Sequence, residues 1–99
     1  MRYYFDWNPQ KAKANLKKHK VSFEQAASIF LDQRAVTIFD KGHSEREERW
    51  VTMGIDKNGI LLVMVHTFQQ IEEDAIKIRV ISARKAARKE IKQYKEGNK

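Results

Sequence analysis

Lys77-Ile78-Arg79-Val80-Ile81-Ser82-Ala83-Arg84 is the stretch that decides how this chain is read. Ile76, Ile78 and Val80 alternate with Lys77 and Arg79, the period of two that marks a half-buried strand. Ser82 is placed to act as a helix N-cap, its side-chain oxygen taking an orphan amide of the following turn. From Arg84 the period changes, and Ala83, Ala87, Ile91 and Tyr94 fall on one helical stripe. A strand end, a helix N-terminus and two arginines within six residues suit an anion such as a phosphate, because free amides and the helix dipole both favour negative charge there. The plainer reading is a surface arginine beside an ordinary cap.

Outward from that junction, 99 residues allow one domain, residues 1–99, with a modest core. Hydrophobic residues at 41% and charged residues at 33% fit a soluble globular composition. No apolar run approaches the roughly 20 residues that span a bilayer, and Met-Arg-Tyr-Tyr-Phe-Asp-Trp lacks the apolar core of a signal peptide. These features predict a cytoplasmic protein without membrane association. With no cysteine, disulfides and thiolate metal sites are excluded. The net charge of +7 is unevenly spread: residues 1–20 carry six basic and one acidic side chain, residues 77–99 nine and two, and residues 21–76 five and ten. If the two ends meet in the fold, they make a basic face able to attract a polyanion.

The local signals predict an α+β fold. A short aromatic strand runs from Arg2 to Trp7, and Asn8-Pro9 caps and opens a helix with Ala12, Leu16 and His19 on one face. After a tight corner at Lys20-Val21, Ser22 and Gln25 form a capping-box pattern before the stripe Phe23, Ala26, Ala27, Phe30. Four strands follow in a mostly antiparallel sheet: Ala35 to Asp40, Glu48 to Asp56, Ile60 to Phe68, and the opening stretch. Lys57-Asn58-Gly59 is a hairpin turn. Ile60 to Phe68 is too continuously apolar for one wet face and belongs at the sheet centre. Gln69 to Ala75 reads as an acidic loop, and a helix closes the chain.

Glycine-rich phosphate loops, HExxH and paired Cys/His ligands are absent, and the three histidines are widely spaced, so neither a metal nor another cofactor is expected. The densest cluster is His43-Ser44-Glu45-Arg46-Glu47-Glu48-Arg49. Brought near Arg79 and Arg84, it supplies imidazole, carboxylates and guanidinium groups, the parts of metal-free RNA cleavage. A base takes the ribose 2′-OH proton, cations stabilise the phosphorane, and an acid protonates the leaving oxygen. A solvated charged run with a plain Glu47–Arg49 ion pair is the competing reading. His66, inside the apolar strand, reads as a hydrogen-bonded core residue, and Trp7, Trp50 and Tyr94 as buried aromatics rather than base-stacking ones.

Phe5-Asp6-Trp7-Asn8-Pro9-Gln10-Lys11, Asn15, Lys18-His19-Lys20-Val21-Ser22-Phe23-Glu24 and Asp32 together resemble the N-terminal signature of the BrnT toxin family. His43-Ser44, Glu47-Glu48-Arg49, Gly54, Leu61-Leu62-Val63, His66-Thr67 and Arg79-Val80-Ile81-Ser82-Ala83-Arg84-Lys85-Ala86 resemble its remaining blocks, in order along nearly the whole chain. Lys20 departs from the pattern, standing where the family usually has glycine. The Gln69 to Ala75 loop departs too, being longer and more acidic than usual.

The resemblance implies a RelE-like fold and a ribonuclease toxin of a bacterial type II toxin–antitoxin pair. A tightly bound BrnA-like antitoxin would neutralise it and supply the only contact with DNA. On that reading Arg79 and Arg84 hold phosphate, and His43, Glu47 and Glu48 are the acid/base candidates with Arg49 in support. Lys18, Lys85 and Arg88 bind the RNA backbone. The alternative is a non-catalytic basic module that binds a protein or nucleic acid. A DNA-binding regulator acting alone fits less well, because the second helix offers Glu24, Gln25 and Ser28 to a groove.

Overall fold

The computed structural model describes residues 1–43 and 47–97, except for the side chain of His43. Strand β1 (Arg2–Asp6) leads into helices α1 (Pro9–His19) and α2 (Phe23–Ala27), the latter continued by a 3-10 turn at Ser28–Leu31. Then come β2 (Val36–Phe39), a 3-10 turn at Lys41–His43, β3 (Trp50–Ile55), β4 (Leu61–Glu72), β5 (Ala75–Lys85) and α3 (Arg88–Glu96). The α+β class matches the sequence reading, but the sheet has five strands, in the order β1-β5-β4-β3-β2. β1 joins it by pairing parallel to β5, Arg2 opposite Ala75 through Asp6 opposite Arg79, and every other pairing is antiparallel.

The caps explain the helical corner. Asn8 Oδ1 accepts from the amides of Gln10 and Lys11 at 2.8 and 3.1 Å, with Pro9 at the first helical position. α1 ends on Lys20 in the left-handed region (φ 60°, ψ 27°), its amide bonded to Leu16 O at 2.9 Å. A lysine thus takes the conformation glycine takes freely, at a cost on the order of 1 kcal/mol. Ser22 Oγ accepts from the Gln25 amide at 3.0 Å, as a cap should. The Gln25 side chain does not reach back, however; its Nε2 donates to Asp56 Oδ2 at 2.7 Å and ties α2 to the β3–β4 turn.

The inward face of α1 differs from the apolar stripe the spacing suggested. Leu16 is 48% exposed, and Asn15 is buried in its place. Asn15 Nδ2 donates to Val21 O (3.0 Å) and Ala83 O (2.8 Å), and its Oδ1 accepts from the Ala83 amide (3.1 Å). β1 stops pairing at Arg79, so the β5 edge beyond it has no neighbouring strand among the described residues. The side-chain amide of Asn15 makes both bonds that a strand residue would make there.

Two further expectations are corrected. Gln69 to Ala75 is no loop: β4 and β5 form one long hairpin whose turn is Glu73-Asp74. Ser82 is no helix cap, because β5 continues to Lys85 opposite Leu62. Pairing slips between His66–Val80 and Val65–Ser82, leaving Ile81 as an extra residue. This bulge keeps Ala83 buried toward α1 and turns Arg84 to the opposite face. Long-range pairing with β4 therefore overrides the local cap signal, and α3 starts after Ala87, whose amide donates to Glu90 Oε1 at 2.8 Å.

β4 is the central strand, as its continuous apolar run required. Leu62, Met64 and Ile78 meet Val21, Phe23 and Ile29 between the sheet and the helices. Gly54 allows that approach: a Cβ there would lie 3.1 Å from both Ile29 O and Ala35 Cβ. Trp7 packs edge-on to Phe23, and Trp50 lies between Phe39 and Phe68, so both are packed aromatics.

His66 is fully buried in this core. Its Nε2 lies 2.6 Å from Thr52 Oγ1, which lies 2.7 Å from Thr37 Oγ1, and its Nδ1 lies 3.3 Å from Thr67 O. A neutral ring protonated at Nδ1 satisfies the whole chain: Thr37 donates to Thr52 and Thr52 to Nε2. Burial lowers the imidazole pKa to about 4, against the opposing pull of the Thr67 carbonyl. The unfolded chain therefore takes up this proton first as pH falls from about 6.5, and folding loses about 3 kcal/mol by pH 4. Urea unfolding between pH 7 and pH 4.5 is expected to show most of that loss in the parent and none of it in His66→Gln, whose amide cannot titrate. Equal pH slopes in the two proteins would remove His66 as the cause.

Candidate active site

Strand alternation sorts side chains between the two faces of the sheet. One face packs on α1, α2 and the 3-10 turn. The opposite face has two halves. Its apolar half runs under α3, where Val36, Ile38, Val51, Met53 and Val63 floor a groove of about 450 Å³ walled by Glu90, Gln93 and Glu96. Its polar half lies at the other end of the central strands and is not covered by α3.

There a cleft of about 150 Å³ is lined by Asp6, Glu47, Thr67, Gln69, Lys77 and Arg79. Register explains the gathering: Asp6 and Thr67 both lie opposite Arg79, and Gln69 lies opposite Lys77. Asp6 Oδ2 is 3.2 Å from Lys77 Nζ, and its Oδ1 is buried with no hydrogen-bond partner among the described residues. Glu47 Oε1 approaches Arg49 Nε at 3.8 Å. Arg79 is exposed, and no carboxylate pairs with it among the described residues. A guanidinium in a polar concavity has the chemistry to hold a phosphate, and carboxylates beside it can move protons.

Arg84 is placed differently. Its guanidinium grips Glu90 bidentately at 2.7 and 2.9 Å. This hydrogen bonding raises the arginine pKa and lowers that of Glu90. Arg84 lies five positions beyond Arg79 along β5, roughly 16 Å at about 3.3 Å per residue. α3 is fastened at its other end by Tyr94, whose hydroxyl donates to Asp32 Oδ2 at 2.5 Å. Asp32 also accepts from the amides of Ile55 and Arg34, both at 2.9 Å. Burial opposes ionisation of Asp32, but these three bonds outweigh it and hold the carboxyl below its usual range. Burial and the Asp32 bond raise the Tyr94 pKa.

Of the residues singled out in the sequence, the structure brings Arg79 and Glu47 into one cleft, with Arg49 beside Glu47. Glu48 is exposed between them and does not line it. Lys18 on α1, Lys85 at the end of β5 and Arg88 on α3 are exposed elsewhere. The His43 side chain and residues 44–46 lie outside the described residues. Asp6, Thr67, Gln69 and Lys77 were not foreseen; the alternation of Lys77 with Arg79 is the signal that could have found Lys77, while Asp6 depends on an unforeseen parallel pairing. Among the described residues no three His, Asp or Glu side chains are grouped to hold a metal ion, and no helix is long and apolar enough to cross a membrane.

Residues 7–90 match the model of a family described as ribonuclease toxin, BrnT, of type II toxin-antitoxin system. The crystal structure of the Brucella abortus ribonuclease toxin BrnT shares the fold, with a TM-score of 0.58 at 20% identity, over 89% of this chain and 100% of that one. No curated protein matches the sequence.

Proposed function

The chain belongs to the BrnT family of ribonuclease toxins, and from that premise we propose that it cleaves RNA in the polar cleft at the β1–β5–β4 end of the sheet. Membership implies an antitoxin partner. The observation that carries the placement is Arg79, exposed in the cleft and paired with no carboxylate among the described residues. Its guanidinium binds the scissile phosphate and stabilises the charge that builds on the phosphorane. Lys77, ion-paired with Asp6 at 3.2 Å, adds a second cation. Glu47, which lines the same cleft, supplies the carboxylate that accepts the 2′-OH proton. The 2′-oxygen attacks phosphorus, the 5′-oxygen leaves with a proton, and a 2′,3′-cyclic phosphate remains. Arg49 orients Glu47, while His43 and Glu48, next to this wall in the chain, are the remaining candidates to protonate the leaving oxygen. Lys18, Lys85 and Arg88 extend a basic surface for the flanking RNA backbone.

The partner is a BrnA-like antitoxin that covers the toxin in the cytoplasm and carries the DNA contact of the complex. None of these steps requires a bound metal. Purified protein incubated with RNA in excess EDTA is expected to give fragments ending in 2′,3′-cyclic phosphate. Intact RNA under EDTA, with cleavage restored by magnesium, would overturn the metal-free mechanism.

A further inference from the structure

Side chains of β1 leave the strand alternately toward the two faces. Tyr3 and Phe5 turn to the helix layer and meet Phe30 at 5.5 and 5.4 Å between ring centroids. Tyr4 and Asp6 turn to the open face, where Tyr4 lies opposite Lys77 and Asp6 opposite Arg79. Tyr4 is 46% exposed and has no aromatic neighbour among the described residues. β1 is the sheet's edge among the described residues, and no described strand lies beyond this ring. The Arg2 guanidinium sits over it at 5.7 Å from the centroid, and Arg2 is itself held by Glu72 at 2.7 Å and Asp74 at 3.3 Å. The ring is thus backed by a tethered cation and remains nearly half exposed.

We propose that Tyr4 is the base-stacking platform of the cleft, holding the nucleobase next to the phosphate bound at Arg79. This rests on the ribonuclease reading above. An exposed ring on an open sheet, one register step from paired cations, is the arrangement by which sheets bind single-stranded RNA: cations hold the backbone and flat side chains hold the bases. Tyr4 lies two positions along the strand from the Asp6–Arg79 level, about 7 Å and within the reach of one nucleotide. Stacking tolerates every base but grows with ring area, so purines are favoured at this position. Tyr4 positions substrate and exchanges no proton with it.

The test uses full-length protein with single-stranded RNA carrying 2-aminopurine, in cleavable form for kinetics and fully 2′-O-methylated for binding. Tyr4→Leu, which keeps apolar bulk and removes the flat ring, is expected to raise KM and Kd about tenfold. Its kcat stays within about twofold of the parent, and quenching of 2-aminopurine fluorescence is lost. Tyr4→Phe retains parental affinity and quenching. Parental KM and quenching in Tyr4→Leu would overturn the proposal, as would equal weakening in Tyr4→Leu and Tyr4→Phe, which would assign the effect to the hydroxyl. A parent that cleaves no RNA would defeat the ribonuclease reading, while the quenching series still decides whether the ring stacks.

Discussion

Arg79→Ala is expected to lower the rate of RNA cleavage by a hundredfold or more while leaving the urea midpoint close to that of the parent. The magnitude is what removal of one well-placed transition-state donor costs, about 10²–10³ in kcat. Stability is spared because the Arg79 side chain is exposed and makes no ion pair with a described residue. Arg84→Ala is expected to behave in the opposite way. That guanidinium is already bound to Glu90, so its loss loosens the start of α3, by no more than about 1 kcal/mol for so exposed a pair, and leaves most of the cleavage. Single-turnover cleavage and urea titration of both variants separate the two roles. Cleavage unchanged in Arg79→Ala would place the phosphate site elsewhere, and loss in Arg84→Ala alone would move it to the α3 end of the sheet.

Asn15→Ala is expected to cost roughly 3 kcal/mol or more, because it leaves Val21 O and both backbone groups of Ala83 without the partner they have in the buried corner. For a domain of this size that lowers Tm by more than about 10 °C. Asn15→Asp is the sharper variant. It matches the shape, yet turns a carboxylate oxygen toward two carbonyls and buries a charge. Thermal unfolding is expected to show Asn15→Asp at least as damaged as Asn15→Ala. If it retained parental stability, shape rather than hydrogen bonding would be what Asn15 contributes.

What could be read from the chain was what local chemistry dictates. Asn8-Pro9 and Ser22 announced their helices because caps act within one turn. Asn58-Gly59 announced its hairpin because Gly59 takes φ 82°, and the apolar run of β4 fixed the sheet centre. Misreadings arose where a distant partner decides. Ser82 has the composition of a cap, but Val65 lies across from it in the sheet. Asn15 is polar on a face expected to be apolar, because an unpaired strand edge 68 residues away needs an amide. The site divided in the same manner. Arg79 was visible from its alternation and Glu47 from its charged run, whereas Asp6 enters only through parallel pairing of the two ends. The helix start that linked Arg84 to phosphate lies farther along, and Glu90, on the first turn of α3, occupies that arginine.

The parallel pairing of β1 with β5 also sets a timetable. Asp6 is made 73 residues ahead of Arg79, the residue it lies opposite. Neither wall of the cleft can find the other before Arg79 is made, and contacts so far apart in sequence form slowly. A nascent or prematurely ended chain that stops short of β5 therefore carries helices and a partial sheet but no cleft. For a protein that destroys RNA, this order of assembly postpones the hazard: nothing made before β5 can cut.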